Sequence, residues 1–219
     1  MILKEEREEY HIEILSNDIE KFNITYKIGL FGDNEVGKTS LLKKVVNNEF
    51  CDYYDKTIQY TILYIYLRLN NDIIQLQIWD TAGDFSSISF LLPKLQLAIL
   101  CYSIENKESF ENIEKWLKSV KNLAKSNIKI FLVGNKCDLK NRVITMDEGK
   151  IFQQQNSLDY FIENSAKIGY KSRNIFIEAA KCLFKKNNEE RDENEIDRGI
   201  NESFQREHNI CNCVKCNLI

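Results

Sequence analysis

Proline is almost absent from this 219-residue chain, with one residue, and glycine is sparse at eight. That scarcity excludes collagen-like, linker-like and loop-dominated architectures and leaves regular elements to carry the fold. No apolar run approaches the length needed to cross a bilayer, and no early segment joins a cationic flank to an apolar stretch and a cleavage site. Synthesis and residence in the cytosol are therefore expected. Positive charge is not in excess either: the net charge is −3 and the pI about 5.6. A protein that coats nucleic acid is thereby excluded. Seven cysteines is an odd number. Four are scattered and three crowd the last nine residues, which does not suggest a secreted disulfide framework.

Against this background, 43% hydrophobic residues suffice for a sizeable core. Residues 1–23 read as a charged N-terminal extension, either a short packed helix or a solvated leader. Residues 24–186 read as one domain, and 187–219 as a disordered tail in which Glu189, Glu190, Asp192, Glu193, Glu195 and Asp197 make the linker acidic. Within the domain, Tyr26 to Phe31 reads as a buried strand and Leu41 to Val46 as the start of a helix. Ile58 to Leu69 and Ile73 to Trp79 flank the turn Asn70-Asn71-Asp72 as an antiparallel hairpin. Strands and helices then alternate: Leu97 to Tyr102, a helix over Lys107 to Lys125, Ile128 to Val133, a helix opened by the capping box Thr145 to Glu148, Leu158 to Ile162, and a helix over Ile175 to Phe184. The expected class is α/β, a phosphate-loop fold with a mostly parallel six-stranded sheet, one antiparallel hairpin strand and helices on both faces.

Between the first strand and helix lies Gly32-Asp33-Asn34-Glu35-Val36-Gly37-Lys38-Thr39-Ser40. Two glycines with four residues between them, followed by Lys-Thr at a helix start, suit a phosphate cradle. Backbone N–H groups point into the turn, the helix end adds positive charge, and the lysine reaches the terminal phosphates. Thr39 is placed to ligate magnesium. Three more motifs stand at strand ends. Asp80-Thr81-Ala82-Gly83 offers a carboxylate for the metal and a glycine for close backbone approach to the last phosphate. Asn135-Lys136-Cys137-Asp138 offers paired oxygens that match the N1–H and 2-amino donors of guanine, an edge adenine lacks. Ser165-Ala166-Lys167 can give the base carbonyl a backbone N–H.

These motifs resemble the guanine-nucleotide motifs of the Ras superfamily of small GTPases. Trp79 to Gly83, Gly134 to Leu139 and Glu108 to Ile113 are most similar to the Rab branch. The resemblance implies GTP and GDP binding with Mg2+, with effector, exchange-factor and GAP proteins as partners. The implied role is a switch in vesicle-mediated transport, peripheral on an intracellular membrane. It further implies that Thr57 senses magnesium and phosphate, Phe50 lies against guanine, Tyr54 folds over the phosphates, and Lys136 and Lys167 flank base and ribose. The metal set is then Thr39, Thr57 and Asp80.

The chain departs from the family at Asp84, where a glutamine usually orients the attacking water, and at Glu35, where a small residue is usual. An aspartate is shorter, cannot donate as an amide does, and adds negative charge beside a triphosphate. Slow hydrolysis is the expectation, and no catalytic residue is assigned. A GTP-locked interaction protein stays open as the alternative, as does an ATP-using phosphotransferase, against which Asp138 argues. At the tail, Cys216 is fourth from the end, the form of a prenylation signal, and Cys211 and Cys213 are candidate acylation sites. His208, Cys211, Cys213 and Cys216 together form a competing metal reading.

Overall fold

A computed structural model describes residues 11–16, 19–51, 57, 60–83 and 89–189. The chain divides into two compact units, Met1–Lys181 and Cys182–Ile219. The described part of the second, 182–189, is helical.

Unit one contains β1 (Ile12–Ile14), β2 (Ile24–Phe31), α1 (Lys38–Asn47), β3 (Tyr60–Leu69), β4 (Asp72–Thr81), β5 (Leu97–Ser103), α2 (Lys107–Glu111), α3 (Ile113–Leu123), β6 (Lys129–Asn135), α4 (Met146–Gln155) and β7 (Tyr160–Glu163). A last helix, α5, opens at residue 172. The strand order is β1-β3-β4-β2-β5-β6-β7, antiparallel at β1/β3 and β3/β4 and parallel elsewhere. All seven residues of β5 are buried, as a strand covered on both faces requires. Phe31 packs with Trp116, Leu117 and Val120 of α3, while Ile28 and Leu30, of opposite parity on the same strand, face the other side.

The sheet has seven strands, not the expected six. Ile12–Ile14, read from sequence as helix or solvated leader, adds to the edge of β3 in the register Ile12↔Leu69. Arg68 and Glu13 face each other there at 3.7 Å. An unpaired edge is a standing liability, and these three residues cover one end of it. The single helix expected over Lys107 to Lys125 is two, parted at Asn112. The capping box forms as expected: the Glu148 N–H donates to Thr145 Oγ1 at 3.2 Å and the Thr145 N–H to Glu148 Oε2 at 2.7 Å.

One ion pair fixes the carboxyl end of β7, where the base-side motif begins. Arg142 donates to both carboxylate oxygens of Glu163, at 2.6 and 2.8 Å, and to the Ile144 carbonyl at 3.0 Å. Glu163 is nearly closed off from solvent, so Glu163→Ala strands a cation in a half-dry place. The expected cost is about 3 kcal/mol, read as a lower urea midpoint at unchanged slope.

Candidate functional site

The carboxyl ends of β2, β4, β6 and β7 converge on one cavity of about 430 Å³. On one side lies the loop between β2 and α1. Gly32 sits at φ +136°, and a Cβ there would stand 2.1 Å from the Cys101 carbonyl oxygen. Gly37 sits at φ +94°, where a Cβ would be 2.2 Å from Asn135 Nδ2. Both positions therefore require glycine. Lys38 Nζ donates to the carbonyls of Gly32 and Asp33, at 2.7 Å each, bridging the loop's own backbone. A Cβ on Gly83 would lie 2.3 Å from the Asn34 nitrogen, so the glycine after β4 rests on this loop.

Beside the loop, three oxygen-bearing side chains meet. Thr39 Oγ1 donates to Asp80 Oδ2 at 2.6 Å and lies 2.9 Å from Thr57 Oγ1. The second oxygen of Asp80, Oδ1, is buried and has no hydrogen-bond partner among the described residues. Burial pushes this carboxyl above its ordinary range, opposed by the Thr39 hydrogen bond and the Lys38 charge. An orphaned carboxylate oxygen beside two hydroxyls is a hard, all-oxygen donor set of the kind magnesium takes. The residues present fit that ion.

On the other side, Asn135 at the end of β6 donates through Nδ2 to the carbonyls of Val36 and Gly37, at 2.9 and 3.1 Å. Asp138 Oδ1 accepts from Ser165 Oγ at 2.5 Å, which fixes the carboxylate's rotamer. Lys167 Nζ stands 5.8 Å from the centroid of the Phe50 ring. Lys136, at φ +66°, reaches Glu105 Oε1 at 2.7 Å, and Glu105 Oε2 accepts from Asn141 at 3.2 Å.

Of the residues expected from sequence, Asn34, Glu35, Gly37, Lys38, Thr39, Ser40, Phe50, Thr57, Gly83, Asn135, Lys136, Asp138, Ala166 and Lys167 all line this one cavity. Gly32, Asp33, Val36, Asp80 and Ser165 stand behind it. The Asp33 carboxylate turns away altogether, accepting from Asn112 Nδ2 at 2.7 Å and Trp116 Nε1 at 2.8 Å, and so ties the loop to α3. Glu35 is exposed, as its charge requires. Tyr54, Asp84 and the cysteines 211, 213 and 216 lie outside the described residues. Sequence reasoning missed Glu105 and Lys43 in the lining. It also missed the side-chain role of Ser165, which it had assigned only to a motif that gives a backbone N–H.

A parallel sheet with a glycine-bounded loop and Lys-Thr opening the first helix, and a carboxylate held across the cavity, defines a phosphate-loop nucleotide-binding protein. The Ras family model matches residues 27–185. Among curated relatives, the Ras-related protein Rab-1 of Theileria parva is 36% identical over 170 residues, covering 75% of this chain and 77% of that one. The Ras-related protein RIC2 of Oryza sativa subsp. japonica is 34% identical over 168 residues, with 75% and 77% covered. RABF2a of Arabidopsis thaliana is 34% identical over 165 residues, with 74% and 82% covered. The chain belongs to the Ras family of small GTPases, guanine-nucleotide switches that work with Mg2+, and its relatives make it Rab-like.

The Lys136 ammonium, with burial opposing it, holds Glu105 below the usual carboxylate range. Because the folded value is depressed, this contribution is present above the ordinary value of 4.5 and is lost as pH falls through the lowered one. Glu105→Gln frees Lys136 to wander. We expect GDP release to quicken by about three- to tenfold, measured with a fluorescent GDP analogue, while the melting temperature barely moves.

Proposed function

We propose that this chain is a Rab-like switch in intracellular vesicle traffic, alternating between GTP- and GDP-bound forms, with slow hydrolysis of its own. The observation that carries the reading is that Lys38 and Asp138 line the same cavity, so a single ligand can touch both. In this reading the backbone of residues 32–39 and Lys38 hold the phosphates. Asp138 takes the guanine donors, Ala166 gives an N–H to the base carbonyl, and Lys136, Lys167 and Phe50 enclose base and ribose. Thr39, Thr57 and Asp80 would hold magnesium, which when bound neutralises charge on the phosphate oxygens. Tyr54 covers the phosphates. The two loops around Thr57 and Asp84 change with the phosphate count and recruit or release effectors, under an exchange factor and a GAP.

Attachment to an intracellular membrane falls to the tail, through prenylation of Cys216 and acylation of Cys211 or Cys213. No helix among the described residues is long and apolar enough to cross a bilayer. Blocking prenylation is expected to release the protein from the membrane fraction.

A second reading is a GTP-locked interaction protein, favoured by Asp84 in the glutamine's place. Denaturing the purified protein and separating the released nucleotide decides between them. GDP supports a turning-over switch, GTP supports the locked form, and an adenine nucleotide overturns both.

A further inference from the structure

Residues 167–173, Lys-Ile-Gly-Tyr-Lys-Ser-Arg, span the turn that closes the base-side motif, up to Lys171, and the first two residues of α5. The stretch carries three cations and no acid, and the next carboxylate is Glu178. Ile168 is 65% exposed and Tyr170 48%, the former the most exposed of the large hydrophobic side chains among the described residues. The turn is a held shape. Ser165 and Tyr170 form an antiparallel bridge, the Ile168 N–H donates to Ser165 Oγ at 3.3 Å, and Gly169 and Lys171 take positive φ. Two apolar side chains are therefore kept in water by a built tip.

Cations surround it. Lys171 Nζ lies 5.0 Å from the centre of the Tyr170 ring. A Cβ on Gly169 would be 3.0 Å from Lys44 Cε, so the α1 lysine runs alongside the tip. Arg173 is exposed and borders a small cavity of about 200 Å³ shared with Val45 and Val46 of α1. On a chain of net charge −3, this is a local positive surface with an aliphatic point and an aromatic shoulder.

An aliphatic side chain enters the acyl boundary favourably, and a tyrosine ring suits the headgroup level. Lysine and arginine stems lie along apolar surface with their charges outward, and each cation near an anionic leaflet is attracted to it. An acidic peptide would meet the same charges, but its apolar side chains need a groove, and Ile168 and Tyr170 stand on a protruding turn. We propose that the turn at 167–171 and the start of α5, together with Lys44, form a contact for an anionic membrane surface, with Ile168 and Tyr170 at the headgroup boundary and Lys44, Lys171 and Arg173 against lipid phosphates and carboxylates. Lys167 lines the nucleotide cavity, so the bilayer would lie next to that cavity's mouth.

The test uses the full chain made without lipid modification, so that the cysteine tail plays no part and its failure as an anchor is a separate matter. Co-sedimentation with phosphatidylcholine vesicles containing phosphatidylserine is expected at low salt, falling as salt rises, with little binding to phosphatidylcholine alone. Neutralising two cations in K171Q/R173Q is expected to weaken binding by about 25-fold, roughly fivefold for each. I168D is expected to weaken it as well, with unchanged melting in both variants. No binding to the anionic vesicles, equal binding to both vesicle types, or binding indifferent to these substitutions overturns the proposal. Retention on polyglutamate without retention on vesicles also overturns it, in favour of an acidic protein partner.

Discussion

Replacing Asp138 with alanine weakens GDP binding by about 10²- to 10⁴-fold while leaving the weak binding of ATP unchanged. The two guanine donors each lose a charge-assisted hydrogen bond worth about 1.5–3 kcal/mol in a site where water cannot fully replace it. Ser165 holds the Asp138 carboxylate in one rotamer, which lowers the ordering entropy lost on binding. Competition of GDP, ATP and ITP against a fluorescent guanine nucleotide reads the effect. Inosine lacks the 2-amino group, so ITP should already bind the unmutated protein less well and lose less on mutation. An Asp138→Ala protein that still binds GDP within a few-fold of the parent would mean that some other group reads the base.

Single-turnover hydrolysis should be the second large effect. GTP loaded on the parent chain is expected to turn over slowly, and Asp84→Gln to speed it by about 10- to 100-fold. A glutamine amide can donate to a phosphate oxygen while its carbonyl accepts from the attacking water; a carboxylate can only accept, and it repels the charge that gathers on the transferred group. The measurement is the rate of phosphate release with a phosphate sensor under excess protein. Equal rates for parent and variant would remove Asp84 as the cause of slow turnover. A parent already as fast as the variant would remove the locked reading.

The sheet's parallel body was legible because three of its strands are apolar runs followed closely by a signal: Phe31 by Gly32, Thr81 by Gly83, Asn135 by Lys136 and Asp138. Local chemistry wrote those junctions. What escaped is non-local. Ile12–Ile14 is three residues long, too short for any period, and its partner Leu67–Leu69 lies more than fifty positions away. The Lys136–Glu105 pair likewise joins two loops that no sequence window contains, and Asp33 looked like a cavity residue until α3 supplied an indole and an amide for its oxygens. The break at Asn112 was hidden by apolar residues that keep helical spacing straight through it. At Ser165 the residue was seen but the role of its hydroxyl was not, since a hydroxyl's partner depends on which neighbouring loop comes within reach.

The asparagine at position 135 has its amide anchored on the carbonyls of Val36 and Gly37. The half of the pocket that reads the purine and the half that cradles its tail are thus clamped to one another by the polypeptide itself. Without that amide the two halves could drift apart, and base and phosphates would no longer be gripped at one fixed separation.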